Sequence, residues 1–167
     1  MSNRPKMTVP YQSADILIEL INVALLIGIW LIVIINYNQL PETIPTHFNS
    51  SGEADNYGNK AIAWTLPIIA TFIFTLIFIL NKYPYLHNFN INITEENAIK
   101  NYRLSTQIAR FANLYSLILI AVITVHTIQI GINKPLNLLN SYFLTFSIIT
   151  PLIGIAFAFY YQKKINQ

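Results

Sequence analysis

Apolar positions in this chain run continuously instead of alternating with polar ones. Four stretches stand out, at residues 16–35, 61–80, 111–130 and 142–161. Each is about 20 residues long, which as a helix rising 1.5 Å per residue matches a hydrocarbon core of about 30 Å. Strands of a membrane barrel would alternate polar and apolar residues, and these runs do not. Backbone groups in lipid must be satisfied internally, so each run is read as a helix. The predicted helices are residues 16–36, 61–81, 94–130 and 141–162. The third starts before its apolar part: Thr94 reads as an N-cap, with Glu95 and Glu96 in the first turn where carboxylates suit the helix dipole. Pro67 and Pro151 fall inside the second and fourth runs and are expected to kink them. Gly154 and Ala158 have the small-xxx-small spacing that favours close helix approach, so self-association through the fourth helix is an alternative to simple packing.

Composition strengthens this reading. Hydrophobic residues make up 54% of the 167 and charged residues only 10%, against about 25% charged in soluble domains. A disordered chain needs the opposite balance. The absence of cysteine excludes a disulfide framework, a thiolate metal site and a cysteine nucleophile. The expectation is one all-α membrane domain over residues 1–167: a four-helix antiparallel transmembrane bundle with a short structured extracytoplasmic loop at residues 37–60. Residues 1–12 read as a mobile terminus. The first run exceeds a signal-peptide core and lacks a small-x-small site after it, so it is read as an uncleaved helix.

Charge then orients the bundle. Arg4, Lys6, Lys82, Lys100, Arg103, Arg110, Lys163 and Lys164 fall on one side of the predicted membrane, and only Lys60 and Lys134 on the other. By the positive-inside bias, both termini and the middle loop are cytoplasmic in a multi-pass cell-membrane protein. The pI of about 9.1 is thus an orientation signal, with the bilayer as partner and no nucleic acid.

The loop between the first two helices is dense in chain-directing residues. Pro41 and Pro45 hold it extended, Thr46-His47-Phe48 is strand-like, and Ser50-Ser51-Gly52 and Asp55-Asn56-Tyr57-Gly58 are turn chemistry. A small hairpin or Ω-like cap is predicted. The sequence LPETIPTHFNSSGEADNYGNK (residues 40–60) closely resembles the signature of a bacterial membrane family, the domain of unknown function sixteen-forty-eight. The pattern L-P-x-x-I-P-x-H-F-N-x-x-G-x-x-D-x-x-G-x-K is matched at Leu40, Pro41, Ile44, Pro45, His47, Phe48, Asn49, Gly52, Asp55, Gly58 and Lys60. The stretch ITEENAIKNYRLSTQIAR also resembles the family's cytoplasmic segment. The resemblance implies a membrane bundle with this loop outside. The same domain occurs in SdpI-type immunity proteins, so it also implies an immunity or signalling role, without an agreed activity.

Chemistry-bearing residues are few. His47, Phe48, Asn49 and Asp55 are the candidates for binding an extracytoplasmic peptide or another membrane protein, with Lys60 as the cap's anchor. His47, His126, Glu53 and Asp55 could instead form a zinc-like site, although His-x5-Glu-x-Asp matches no established metal spacing. The plainer reading has His47 and Asp55 in loop hydrogen bonds, and His126 in a structural bond near the outer end of its helix. Asp15 and Glu19 share a helix face, and Glu19 needs a partner at hydrocarbon depth. Arg110 or Arg103 can supply it, so Glu19 and Arg110 are read as a structural ion pair. No hydrolase elbow, H-E-x-x-H or phosphate loop is present, no cofactor is expected, and no catalytic residue is assigned. The leading expectation is a non-enzymatic membrane protein that binds a peptide or protein partner. The alternatives are a metal-dependent membrane enzyme and a subunit of a transporter or sensor complex.

Overall fold

The computed structural model describes residues 4–134, 136 and 138–167. Helix α1 spans Ser13–Asn36, and its start is fixed by the Gln12 amide donating to the Asp15 carboxylate at 2.9 Å. An acidic group in that first turn also suits the helix dipole. A short 3-10 turn at Tyr37–Gln39 leads to strands β1 (Thr43–Phe48) and β2 (Ala54–Asn59), an antiparallel hairpin. Thr43 pairs with Asn59 and Ile44 with Gly58, but the register slips on either side of His47. Pro45 has no N–H to give the ladder, which favours a bulge there.

A 3-10 segment, Lys60–Trp64, precedes helix α2 at Thr65–Leu80. The expected helix start at residue 61 therefore moves by one turn. Pro67 is a correction: it sits in the first turn of α2, where its missing N–H costs no helical bond. Pro151 does lie inside its helix. Helix α3 runs from Glu95 to Gly131, capped by the Thr94 amide donating to Asn97 at 2.9 Å. Helix α4 spans Ser141–Ile165. All four helices, with the 3-10 segments that extend two of them, are long and apolar enough to cross a membrane.

Helices α1, α2 and α3 form the core. Ile29, Ala70, Leu117 and Ile120 pack at mid-depth, and Trp30 donates to the Thr71 hydroxyl at 3.0 Å. At one end Val33, Ile128 and Ala63 enclose Leu40 and Ile44, which tie the hairpin to the helices. At the other end, which carries most of the basic residues, Phe89, Ile93, Ala98 and Tyr102 form a third cluster. We refer to these as the hairpin end and the basic end. Large apolar side chains such as Phe72 (68% exposed) and Ile148 (63%) cover the outside, which suits lipid and not water.

Helix α4 buries none of its residues and packs chiefly on α3 at the side of the core. Its anchors are polar: Tyr115 donates to the Ser147 carbonyl at 2.7 Å, and Asn101 and Asn166 exchange side-chain bonds. Among the described residues nothing lies within 4 Å of the place a Cβ would take on Gly154, so that residue makes no close helix approach within this chain.

The expected mobility of the N-terminus is also corrected, for residues from Arg4 onward. Arg4 donates to the Tyr85 and His87 carbonyls, the latter at 2.6 Å. Tyr102 donates to the Pro5 carbonyl at 2.9 Å, and Met7 and Val9 pack on the basic-end cluster.

Candidate functional site

The hairpin is a folded cap, and each motif residue has a definable task. Asn49 closes the turn: its side-chain oxygen accepts from the amides of Ser51 (2.9 Å) and Glu53 (3.0 Å), an Asx arrangement that mimics backbone. Glu53 returns a carboxylate oxygen to the Asn49 side-chain amide at 3.1 Å. Gly52 has φ +79°, and a Cβ there would lie 1.6 Å from the Leu139 carbonyl oxygen. Only glycine permits both the left-handed backbone and that approach. Lys60 anchors the base of the cap, 2.9 Å from the Glu42 carboxylate and over the Tyr37 ring.

His47 and Asp55 face each other across the two strands at 2.5 Å, both largely exposed. Phe48 turns inward and meets the His126 ring edge-on, with centroids 4.7 Å apart. His126, only 3% exposed, places one ring nitrogen 2.8 Å from the Leu136 carbonyl and the other 3.1 Å from the Gly52 carbonyl. A neutral ring donates to one of these and an imidazolium to both. His126 thus sits where the cap's turn, α3 and the segment before α4 meet, against both carbonyls and the Phe48 ring.

Under the cap lies a cavity of about 300 Å³. Thr46, His47, Phe48 and Asn49 form its roof, Leu119 and Ile123 of α3 one wall, and Phe143 and Leu144 of α4 the other. Three of the four residues singled out for partner binding, His47, Phe48 and Asn49, therefore line one space, and Asp55 reaches it through His47. The walls were not foreseen. They sit among ordinary apolar helix positions, and only Ser147, a polar residue at the cavity in an apolar run, offered a signal.

The alternative metal set does not converge. His47 is engaged by Asp55, Glu53 by Asn49, and both nitrogens of His126 by carbonyl oxygens. Among the described residues no group of three or more His, Asp or Glu side chains is placed to hold a metal ion.

A second polar centre lies in the core toward the basic end. Arg110, with 3% of its side chain exposed, places Nη1 3.2 Å from Asp15 and Nε 3.1 Å from Glu19. The expected Glu19–Arg110 pair is present and extends to Asp15. Tyr11 stacks over the guanidinium at 4.6 Å. Of the two candidate arginines, Arg110 is the partner.

An uncharacterized protein of Archaeoglobus fulgidus is 36% identical over 118 residues, a match covering 62% of this chain and 61% of that protein. The match thus spans less than two thirds of the relative's length. No solved structure matches. Residues 24–71 match the family model described as Domain of unknown function (DUF1648). That segment runs from within α1 through the cap into α2, so the resemblance carried by the loop motif holds for the part of the chain that builds the hairpin.

Proposed function

We propose that this chain is a multi-pass membrane protein, with both termini cytoplasmic, that binds a peptide or protein partner at its hairpin end. The role is immunity or signalling, of the kind that the loop motif implies. The observation that carries the reading is the cavity roofed by Thr46–Asn49. Its size is at the lower end of the about 300–1,000 Å³ of ligand pockets, so it suits one or two apolar side chains of a peptide. Its walls are apolar, and its rim presents the exposed His47–Asp55 pair. An amphipathic peptide segment would place apolar side chains between α3 and α4 and polar groups against the rim.

The test is photo-crosslinking in native membranes from residues 123 and 143, with residue 148 on the lipid-exposed side of α4 as control. Discrete adducts of peptide or protein mass at 123 and 143, lost in a His47→Ala/Asp55→Ala variant, are expected. Lipid adducts alone at all three positions would defeat the reading.

A further inference from the structure

Where α1, α2 and α3 meet near the basic end, several buried oxygens have no donor among the described residues. Asp15 is fully engaged, by Arg110 Nη1 on one oxygen and the Gln12 amide on the other. Glu19 uses only Oε1, on Arg110 Nε, and its buried Oε2 has no partner. Asn22, one turn along α1, is fully buried; its amide nitrogen points at the Arg110 carbonyl at 3.5 Å, and its Oδ1 is also without a donor. Asn113, one turn beyond Arg110 on α3, directs its nitrogen to the Phe74 carbonyl of α2 and leaves its Oδ1 unpartnered.

Charge is unbalanced at the same place. Two carboxylates share one guanidinium, and both ion pairs are with Arg110. Arg103, two turns nearer the basic end on α3, pairs with neither carboxylate, and its buried Nη1 has no partner among the described residues. Tyr11 covers Arg110. Excess negative charge in a low-dielectric interior is costly, and ionisable groups held inside a membrane bundle commonly mark ion sites.

The geometry points to a binding site for one small monovalent cation of the Na⁺ class, held by Glu19 Oε2 and Asn22 Oδ1. Asn113 Oδ1 is a further oxygen one turn deeper. Carboxylate and amide oxygens are the hard ligands such an ion takes in place of water. A single positive charge neutralises the centre, whereas a divalent ion would leave it positive. Glu19 supplies the charge, Asn22 supplies a neutral oxygen, and Arg110 positions Glu19.

The test is thermal unfolding of the full chain in detergent, in NaCl and in equimolar choline chloride. A rise of about 3 °C in NaCl at ten times the dissociation constant is expected. The Glu19→Gln variant keeps the Asp15–Arg110 pair, so it folds, and its two melting curves should coincide. Asn22→Asp, which keeps an oxygen in place, should retain the Na⁺ response. Identical melting of the unaltered protein in both salts overturns the inference. A response that survives in Glu19→Gln overturns it too, as does stabilisation by acid without any Na⁺ response, which would assign the place to a proton.

Discussion

Gly52 and His87 show how single side chains hold the two ends of the molecule. Gly52→Ala would force a Cβ into the Leu139 carbonyl and leave a non-glycine residue at φ +79°. The backbone strain alone costs about 1–2 kcal/mol, so the expected result is a cap lifted off His126, read as faster proteolysis between β1 and β2 with the helices intact. His87 sits in the segment joining α2 to α3, with one ring nitrogen 3.0 Å from the Ser105 hydroxyl and the other 3.2 Å from the Leu80 carbonyl. Burial lowers its pKa below the ordinary 6.5, against a smaller opposing effect of the Leu80 bond. The folded state therefore favours neutral His87. The stability it contributes is full above about pH 6.5 and is lost as pH falls toward the depressed value. Amide protection in residues 84–94, measured as the exchange rate relative to the intrinsic rate at each pH, should fall on acidification through that window. His87→Gln should flatten the dependence. Neither partner of His87 was legible in the sequence, because each contact depends on how the chain folds back after Leu80.

At the scale of elements, the helices were legible because lipid imposes one rule on all of them: an uninterrupted apolar run with its backbone satisfied internally. The hairpin was legible because Pro45 fixes its own backbone angle and Gly52 and Gly58 permit turn conformations that other residues resist. Two boundaries were not. The start of α2 depends on Asn59, which accepts from the Ala61 amide at 2.8 Å and closes a 3-10 turn first. The docked N-terminus depends on Arg4 finding carbonyls more than 80 residues away. The unequal standing of the four helices was also hidden, since α4, like the others, is apolar enough to cross a membrane yet buries nothing. Leu117, fully buried among Ile29, Ala70 and Ile120, should lose about 2–4 kcal/mol when changed to Ala, because the cavity keeps its walls. Ile148→Ala on α4 should cost under about 0.5 kcal/mol. Unfolding by steric trapping in bicelles measures both, and equal losses would show that α4 belongs to the core.

The whole molecule is polarised along the bundle. The hairpin end holds Lys60, which is paired with Glu42, and Lys134. The basic end gathers Arg4 against the 85–87 segment and Lys100 against the last turn of α4, with Lys163 and Lys164 close by in sequence. This arrangement places both termini on the same side as the α2–α3 connection. We propose, from the positive-inside bias, that this side is the cytoplasmic one and that the cap, with its cavity, lies on the face an external peptide could reach. The chain has no cysteine of its own, so single introduced thiols report cleanly. Tyr57→Cys, on exposed strand β2, should react with a membrane-impermeant maleimide in intact cells. Lys82→Cys should react only after the cells are opened. The reverse pattern would turn the cap toward the cytoplasm and remove the external partner from the proposed function, while leaving the fold and the Glu19–Asn22 site untouched.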